Sequence, residues 1–316
     1  MKGIGDKQFL FVVGAPRSGT TWLHRMIWEH RQVAALETEL TVFTYLGQWD
    51  KRYQQEKFHI DNKHWRQGAP LLFTEEEFYQ GLRGLADEAY TKVLKANPEA
   101  THILDKHPGY SLHVPLIARL IPQSRFIHII RDGREVAVSM ISANRRLGFG
   151  AGEVRGASTE WHRNITHARR AGAALGPERY MEVRYEDLMD HTATELEKIF
   201  KFTGLPLSED EADRIAREYS IERKQVSSGD AHLNALRRTP GAIWKARLSL
   251  EERWTMAHMV GHMLLELGYA GTSDWWALRR GDGLRMAMYR WTRKLRNTIG
   301  STLHTWRTPL VKRIDP

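Results

Sequence analysis

The stretch that decides the fold is FVVGAPRSGTTWL, which occupies residues 11–23. It begins inside an apolar run, Gln8–Val13, that reads as a buried strand, and it continues into a helix predicted from about Gly19 to His30. Between them lies a loop with a glycine at each end. Such glycines let the backbone approach an anion closely, and the first N–H groups of the helix point toward it. The stretch therefore predicts an α/β fold with an anion-binding loop after its first strand.

This loop has the spacing of a nucleotide-binding P-loop but not its lysine. The ATP-binding pattern is G-x-x-x-x-G-K-[ST]. Gly14 and Gly19 match its glycines and Thr21 its hydroxyl, whereas Thr20 stands where the lysine belongs. Arg17 adds a planar, permanently charged fork that suits phosphate or sulfate oxygens. The loop therefore predicts a phosphate-like ligand other than the γ-phosphate of ATP.

Composition narrows the class of protein. Of the 316 residues, 41% are hydrophobic and 27% are charged, which is typical of a globular chain. The absence of cysteine excludes disulfides, thiolate metal sites and thiol catalysis. No stretch approaches the roughly 20 apolar residues of a transmembrane helix, and the first apolar run is too short for a signal peptide. We expect a cytoplasmic protein.

The basic charge is concentrated in a C-terminal tail. Residues 272–316 hold ten Lys/Arg against three Asp, or +7 of the net +9, which leaves +2 for residues 1–271. The tail's apolar residues recur at steps of three and four: Leu284, Met288, Trp291, Leu295, Ile299, Leu303, Trp306 and Leu310. We predict one domain over 1–271 and a basic amphipathic helical extension over 272–316.

Three roles remain open for this tail. The tail could pack against its own domain, pair with a second subunit as a homo-oligomer, or make peripheral contact with an anionic membrane surface. Because the positive charge belongs to an appendage and the body is nearly neutral, no nucleic-acid partner is expected.

Strands alternate with helices along the domain. Further strands are predicted over His102–Leu104, Arg125–Ile130 and Tyr180–Arg184, and further helices over Thr74–Asn97, Ser111–Leu120, Asp132–Arg146, Thr159–Leu175, Glu186–Phe202 and Ser249–Leu267. The helix from Thr74 is expected to bury Phe78, Leu82, Leu85, Ala89 and Val93. This alternation indicates a central parallel sheet with helices on both faces. Ligands of such sheets bind at the carboxyl ends of the strands.

A second anion-binding pattern follows the strand RFIHII. In RDGREVAVS, Arg131 ends the strand and Ser139 lies eight residues later, in the next helix. Eight residues of helix return almost to the same face. Both side chains are therefore expected to reach one phosphate.

Together these motifs resemble those of PAPS-dependent sulfotransferases, most closely the glycan-type and bacterial ones. Further resemblance lies in VRYEDL, Val183–Leu188, and in LRRTPGAIWKARLS, Leu236–Ser249, and the whole covers roughly residues 8–270. It implies a P-loop-like sulfotransferase fold and transfer of a sulfuryl group from 3′-phosphoadenosine 5′-phosphosulfate (PAPS) to a hydroxyl or amine. The product would be 3′,5′-ADP (PAP), with no metal required. PAPS has no γ-phosphate, which accounts for the missing lysine.

The resemblance also assigns nucleotide contacts. The 5′-phosphosulfate would be held by Arg17, Ser18, Gly19, Thr20 and Thr21, and the 3′-phosphate by Arg131, Ser139 and Arg238. Arg237 is the alternative to Arg238 in the neighbouring register. Further contacts would come from Trp22, Tyr185, Gly241 and Trp244, although Trp22 reads more simply as a core residue.

For the chemistry, the resemblance points to a carboxylate base. Within ALETELTVF it selects Glu39, with Glu37 in a different register; both are alternatively solvated loop acids. Lys106 in ILDKHPGYS, together with Arg17, would stabilise the leaving group, unless Lys106 merely pairs with Asp105. His107 ranks second as base, because it lies one residue closer to the lysine than the histidine of phenol and steroid sulfotransferases.

Two other functions stay open at this stage. A small-molecule P-loop kinase would need the missing lysine and an acidic magnesium ligand. A non-catalytic nucleotide-binding or membrane-associated protein would use the tail as its working part. The acceptor itself is left open among small molecules, saccharides and lipid-linked groups.

Overall fold

The computed structural model describes residues 4–219 and 242–271. Contacts divide the chain into two compact units, Met1–Arg247 and Leu248–Pro316. The predicted helix over 272–316 and the candidate ligands Arg238 and Gly241 lie outside the described residues. The domain boundary after residue 271 therefore stays a prediction.

Five strands within the described residues form one parallel sheet in the order β2-β3-β1-β4-β5. They are β1 (Gln8–Val13), β2 (Val33–Ala34), β3 (His102–Lys106), β4 (Arg125–Ile130) and β5 (Tyr180–Arg184). Because β1 lies between β3 and β4, the loops that follow these three strands meet at one edge of the sheet. The predicted α/β fold class is confirmed.

The first unit contributes ten of the described helices. They are α1 (Thr20–Trp28), α2 (Val42–Asp61), α3 (Glu75–Leu94), α4 (Val114–Leu120), α5 (Gly133–Leu147), α6 (Val154–Leu175), α7 (Tyr185–Asp190), α8 (Thr192–Thr203), α9 (Glu209–Glu218) and α10 (Ala242–Arg247). Short 3₁₀ turns cover Ile4–Asp6, Ala69–Leu71 and Pro108–Leu112. The second unit contributes α11 (Leu250–Glu266), capped by Ser249. None of the helices in the described ranges has the length and hydropathy needed to span a bilayer.

Two apolar layers enclose the sheet because successive side chains of a strand point to opposite faces. From β1, Phe9, Phe11 and Val13 enter one hydrophobic cluster, while Leu10 and Val12 enter the other. A strand buried on both sides is apolar throughout. This explains why the sequence of β1 shows no alternation.

The face of α3 that packs on the core matches the expected one only in part, since Leu82 and Val93 are buried as predicted. Leu85 is 49% exposed, whereas Tyr79 and Tyr90 are buried. Their hydroxyls donate to Asp50 Oδ1 at 2.5 Å and to Asp105 Oδ2 at 2.7 Å. Because buried tyrosines with hydrogen-bonded hydroxyls pack like apolar residues, the core side of α3 includes Tyr79 and Tyr90 beside the predicted residues and excludes Leu85.

The predicted helix boundaries are confirmed only in part. The predicted helix from Thr159 begins five residues earlier, at Val154, and the one over Glu186–Phe202 is two helices that meet at His191. Helix α2 has no counterpart among the predicted elements. It matters for the site because it follows directly after the acidic loop.

Asp105 is a buried acid behind the edge where the loops meet. It is 3% exposed, and its Oδ1 accepts the N–H of Lys106 at 2.7 Å. Burial raises the pKa of Asp105 from 3.8 to about 6, against the opposing effect of the Tyr90 hydrogen bond. The folded chain therefore favours the protonated acid more than the unfolded chain does.

We expect Asp105→Asn to remove a pH-dependent loss of stability. In the wild type, the protonated Asp105 favours the folded state, and this contribution to the free energy of unfolding is lost as the pH rises from about 4 to about 6. The contribution amounts to about 3 kcal/mol. The measurement is the free energy of urea unfolding of both proteins at about pH 4 and about pH 6.5. A difference between the two proteins that is the same at both pH values would contradict the prediction.

Candidate functional site

The loop after β1 is shaped by neighbours that leave no room for side chains at its glycines. A Cβ on Gly14 would lie 2.6 Å from the carbonyl oxygen of Ile129. Gly19 has φ +99°, and a Cβ there would lie 2.7 Å from the Tyr185 ring. The Gly14 N–H donates to the buried Ser111 Oγ at 2.9 Å. The loop is therefore held by β4, α7 and the turn after β3.

Arg17 joins this loop to α5. Its Nε donates to Ser139 Oγ at 3.2 Å, and its carbonyl accepts from Arg131 Nη1 at 3.3 Å. Its backbone has φ +70°, a left-handed conformation uncommon for a residue with a side chain. Burial, followed by the charges of Arg146 and Arg131, lowers the pKa of Arg17. Closely spaced guanidinium groups of this kind suit an anion with several charges.

Arg131 is held from several sides at the end of β4. Its Cζ lies 4.3 Å from the centre of the Tyr185 ring, and its Nη2 lies 4.0 Å from Glu135 Oε2. Its own carbonyl accepts from Trp161 Nε1 at 3.0 Å. The two halves of the predicted phosphate site, Arg131 and Ser139, are thus brought together through Arg17.

The remaining loop residues divide into buried and exposed ones. Ser18 and Thr20 are buried, and Ser18 Oγ has no hydrogen-bond partner within the described residues. Thr21 is exposed at the start of α1. Trp22 packs in the core at 8% exposure, and its Nε1 donates to the Tyr219 carbonyl at 3.1 Å. Its position fits the core interpretation, and a contact of Trp22 with the nucleotide stays a prediction.

Lys106 links the acidic loop to this site. Its Nζ lies 2.5 Å from Glu39 Oε1 and 2.9 Å from Thr21 Oγ1. The Lys106 side chain is 6% exposed, whereas that of Glu39 is 38% exposed. Asp105 points to the opposite face of β3, toward Tyr90. The alternative in which Lys106 serves only as the ion-pair partner of Asp105 is therefore wrong.

Glu37, the alternative candidate for the general base, does not pair with Lys106. Its carboxylate pairs with Arg25 at 3.1 Å, and its side chain is 73% exposed. Surface ion pairs of this kind contribute little. Of the two acids, Glu39 is the one that the structure places beside the anion loop.

His107 donates toward Glu39 in its neutral form. Its Nδ1 accepts the N–H of Gly109 at 3.0 Å, so the ring proton belongs on Nε2. That nitrogen faces Glu39 Oε2 at 3.5 Å. Burial lowers the pKa of His107; the Glu39 charge opposes this and the Lys106 charge adds to it. The ring lone pair is thus already engaged, which disfavours His107 as a proton acceptor.

The described part of the late basic segment packs on α5. The Trp244 N–H donates to Glu135 Oε1 at 3.2 Å, and Arg134 Cζ lies 4.4 Å from the centre of the Trp244 ring. Trp244 is 2% exposed. Glu135 and Ser111 cannot be recognised as parts of this site from the sequence, because both act through contacts with distant segments.

A model of the sulfotransferase family matches residues 10–209. The chain belongs to the sulfotransferase family. Protein-tyrosine sulfotransferase 1 of Danio rerio is 24% identical over 271 residues, which cover 84% of this chain and 73% of that protein. Protein-tyrosine sulfotransferase 2 of Gallus gallus is 25% identical over 272 residues, covering 84% and 70%.

One solved structure extends this likeness to the fold. Mouse sulfotransferase SULT7A1 complexed with PAP aligns with a TM-score of 0.52 at 15% identity, over 83% of this chain and 88% of that one. At this identity the likeness shows the fold alone. The predicted PAPS-dependent sulfotransferase family, its fold and the enzyme class are confirmed, and the kinase and non-catalytic alternatives are set aside.

The tautomer and pKa of His107 can be measured directly. In nitrogen-15 spectra we expect Nδ1 to resonate as an unprotonated nitrogen and the ring to titrate below its ordinary pKa. Glu39→Gln should lower this pKa further, because the Glu39 charge raises it. Lys106→Met should raise it, which provides a control of opposite sign. A higher His107 pKa in Glu39→Gln would contradict the assignment.

Proposed function

We propose that this sulfotransferase moves the sulfuryl group of PAPS to a hydroxyl or amine acceptor, with Glu39 as general base. The observation that carries the proposal is the position of Lys106, whose ammonium contacts both Glu39 and Thr21. Lys106 therefore connects a carboxylate that can accept a proton with the loop that can hold the donor nucleotide.

The residues at the sheet edge fit PAPS. The glycine cradle has no room for a Cβ, and the buried Ser18 Oγ has no partner in the described part of the chain. Arg17 and Arg131 supply permanent charge for two anionic groups. When bound, PAPS supplies the sulfuryl group and a phosphate leaving group.

Each end of the nucleotide has its own set of donors in this proposal. Arg17, the hydroxyls of Thr20 and Thr21, and the first N–H groups of α1 bind the 5′-phosphosulfate. Arg131 and Ser139 bind the 3′-phosphate. Because these cationic side chains supply the charge that a metal ion would otherwise provide, we expect activity without a metal.

Proton transfer to Glu39 is coupled to the charge on Lys106. Glu39 Oε1 is held by the ammonium at 2.5 Å, while the side chain remains 38% exposed and is therefore accessible to an acceptor. When Glu39 takes the acceptor's proton, its attraction for Lys106 falls. The ammonium then becomes available to stabilise charge that develops on the leaving phosphate.

The acceptor is proposed from the relatives and from exposed rings on the helix that follows the Glu39 loop. Because the relatives are named protein-tyrosine sulfotransferases, a tyrosyl hydroxyl is the first acceptor to test, beside saccharides, aryl alcohols and lipid headgroups. On α2, the helix that follows the Glu39 loop, Tyr45 and Trp49 are 61% and 53% exposed, which suits a ring-bearing acceptor. Cytoplasmic location, with peripheral membrane contact through residues 272–316, stays a proposal.

Arg131→Ala should separate the two ends of the nucleotide. We expect affinity for 3′,5′-ADP to fall about 10- to 100-fold, the effect of losing charge-assisted hydrogen bonds, while 5′-AMP affinity changes little. Calorimetry without magnesium measures both, and ATP with magnesium is the control for a kinase-like site. Equal losses for the two nucleotides would reject Arg131 as the 3′-phosphate ligand.

Glu39→Gln should impair chemistry and spare donor binding. We expect turnover to fall by roughly 10²-fold or more, with little change in affinity for PAPS. Glu37→Gln is the matched control and should retain activity, because Glu37 pairs with Arg25 away from the loop. Loss of activity in His107→Ala together with an active Glu39→Gln would reverse the choice of base.

A further inference from the structure

Glu135 lies between two parts of the site that are far apart in the sequence. It belongs to the first turn of α5, and its side chain is 8% exposed. Oε1 accepts the Trp244 N–H at the start of α10, while Oε2 lies 4.0 Å from Arg131 Nη2. Burial raises the pKa of Glu135, and the Trp244 N–H and the Arg131 charge oppose this. A buried carboxylate is costly unless such partners offset the loss of water.

Arg131 lies between a cationic and an anionic neighbour. Its guanidinium donates to the Arg17 carbonyl and lies close enough to the Arg17 guanidinium for its charge to lower the pKa of that group. Like charges so placed tend to separate. Glu135 opposes this, yet at 4.0 Å it is too distant to accept a hydrogen bond. No residue in the described ranges accepts a hydrogen bond from Arg131 Nη2, so these donors can serve a phosphate oxygen.

We propose that Glu135 is a positioning residue for nucleotide binding. Its carboxylate orients the Arg131 guanidinium toward the 3′-phosphate and fixes the start of α10 beside it. The inference rests on the proposed function, specifically on Arg131 as the 3′-phosphate ligand. Glu135 acts through Arg131 and Trp244 and does not itself touch the nucleotide.

The test is the selectivity of Glu135→Gln for 3′,5′-ADP over 5′-AMP. The amide oxygen of glutamine still accepts the Trp244 N–H, so thermal stability should stay close to that of the wild type. Loss of the charge beside Arg131 should weaken 3′,5′-ADP binding about tenfold and change 5′-AMP binding less than about twofold. The KM for PAPS should rise while kcat at saturating PAPS stays within about twofold.

Glu56→Ala is the matched control. Glu56 is also a buried carboxylate, which accepts the Ala69 N–H at 2.9 Å and pairs with Arg52 at 2.6 Å. Its removal from α2 should lower stability without selective loss of 3′,5′-ADP. In an Arg131→Ala background, Glu135→Gln should add no further loss, because its effect passes through Arg131.

Two results distinguish a failure of the Glu135 inference from a failure of the 3′-phosphate assignment. If Arg131→Ala shows the selective loss but Glu135→Gln weakens both nucleotides equally or neither, the positioning role of Glu135 is wrong and the proposed function stands. If Arg131→Ala binds 3′,5′-ADP as tightly as the wild type, the 3′-phosphate assignment is wrong, and this inference fails with it.

Discussion

The nearly buried ammonium of Lys106 is the interaction on which the rest of the site depends. It stands at the end of β3, where Val12 of β1 is its partner in the sheet, and it donates to Glu39 and Thr21. An ammonium removed from water requires such acceptors, since an unpaired buried charge costs several kcal/mol. Lys106 therefore holds the acidic loop after β2 against the helix after β1, because the buried ammonium needs acceptors from both.

A second pairing repeats this arrangement on the other side of β1. At the end of β4 the cation is Arg131 and the acid is Glu135, just as Lys106 and Glu39 face each other beyond β3. In both pairs a side chain of the site is oriented by an opposite charge that comes from a neighbouring element. Cations crowded along one sheet edge repel one another, so the acids are what allow them to share it before an anion is bound.

Local patterns predict the parts of this fold that depend on local physics. Strands β1 and β4 were predicted with their observed bounds because buried parallel strands are continuous apolar runs. The bounds of β5 were also predicted, although this edge strand is only partly buried. The loop glycines were predicted because only glycine allows such an approach. Helix α2 was missed because Tyr45 and Trp49, two of its large aromatics, are exposed and blur the apolar period. Ser111 and Glu135 act across 97 and 109 residues, a separation that no periodicity encodes.

The proposed base could not be selected from the sequence alone. Glu37 and Glu39 are two residues apart in one loop, and no local pattern distinguishes them. Their surroundings distinguish them, because Glu37 forms an ion pair with Arg25 on the surface of α1, whereas Glu39 forms an ion pair with Lys106. His107 lies beside Glu39, with Nε2 3.5 Å from Oε2, but the Gly109 N–H occupies the lone pair that it would need as a base. Glu39 alone among the three combines an accessible carboxylate with a cation, Lys106, that also contacts the anion-binding loop at Thr21.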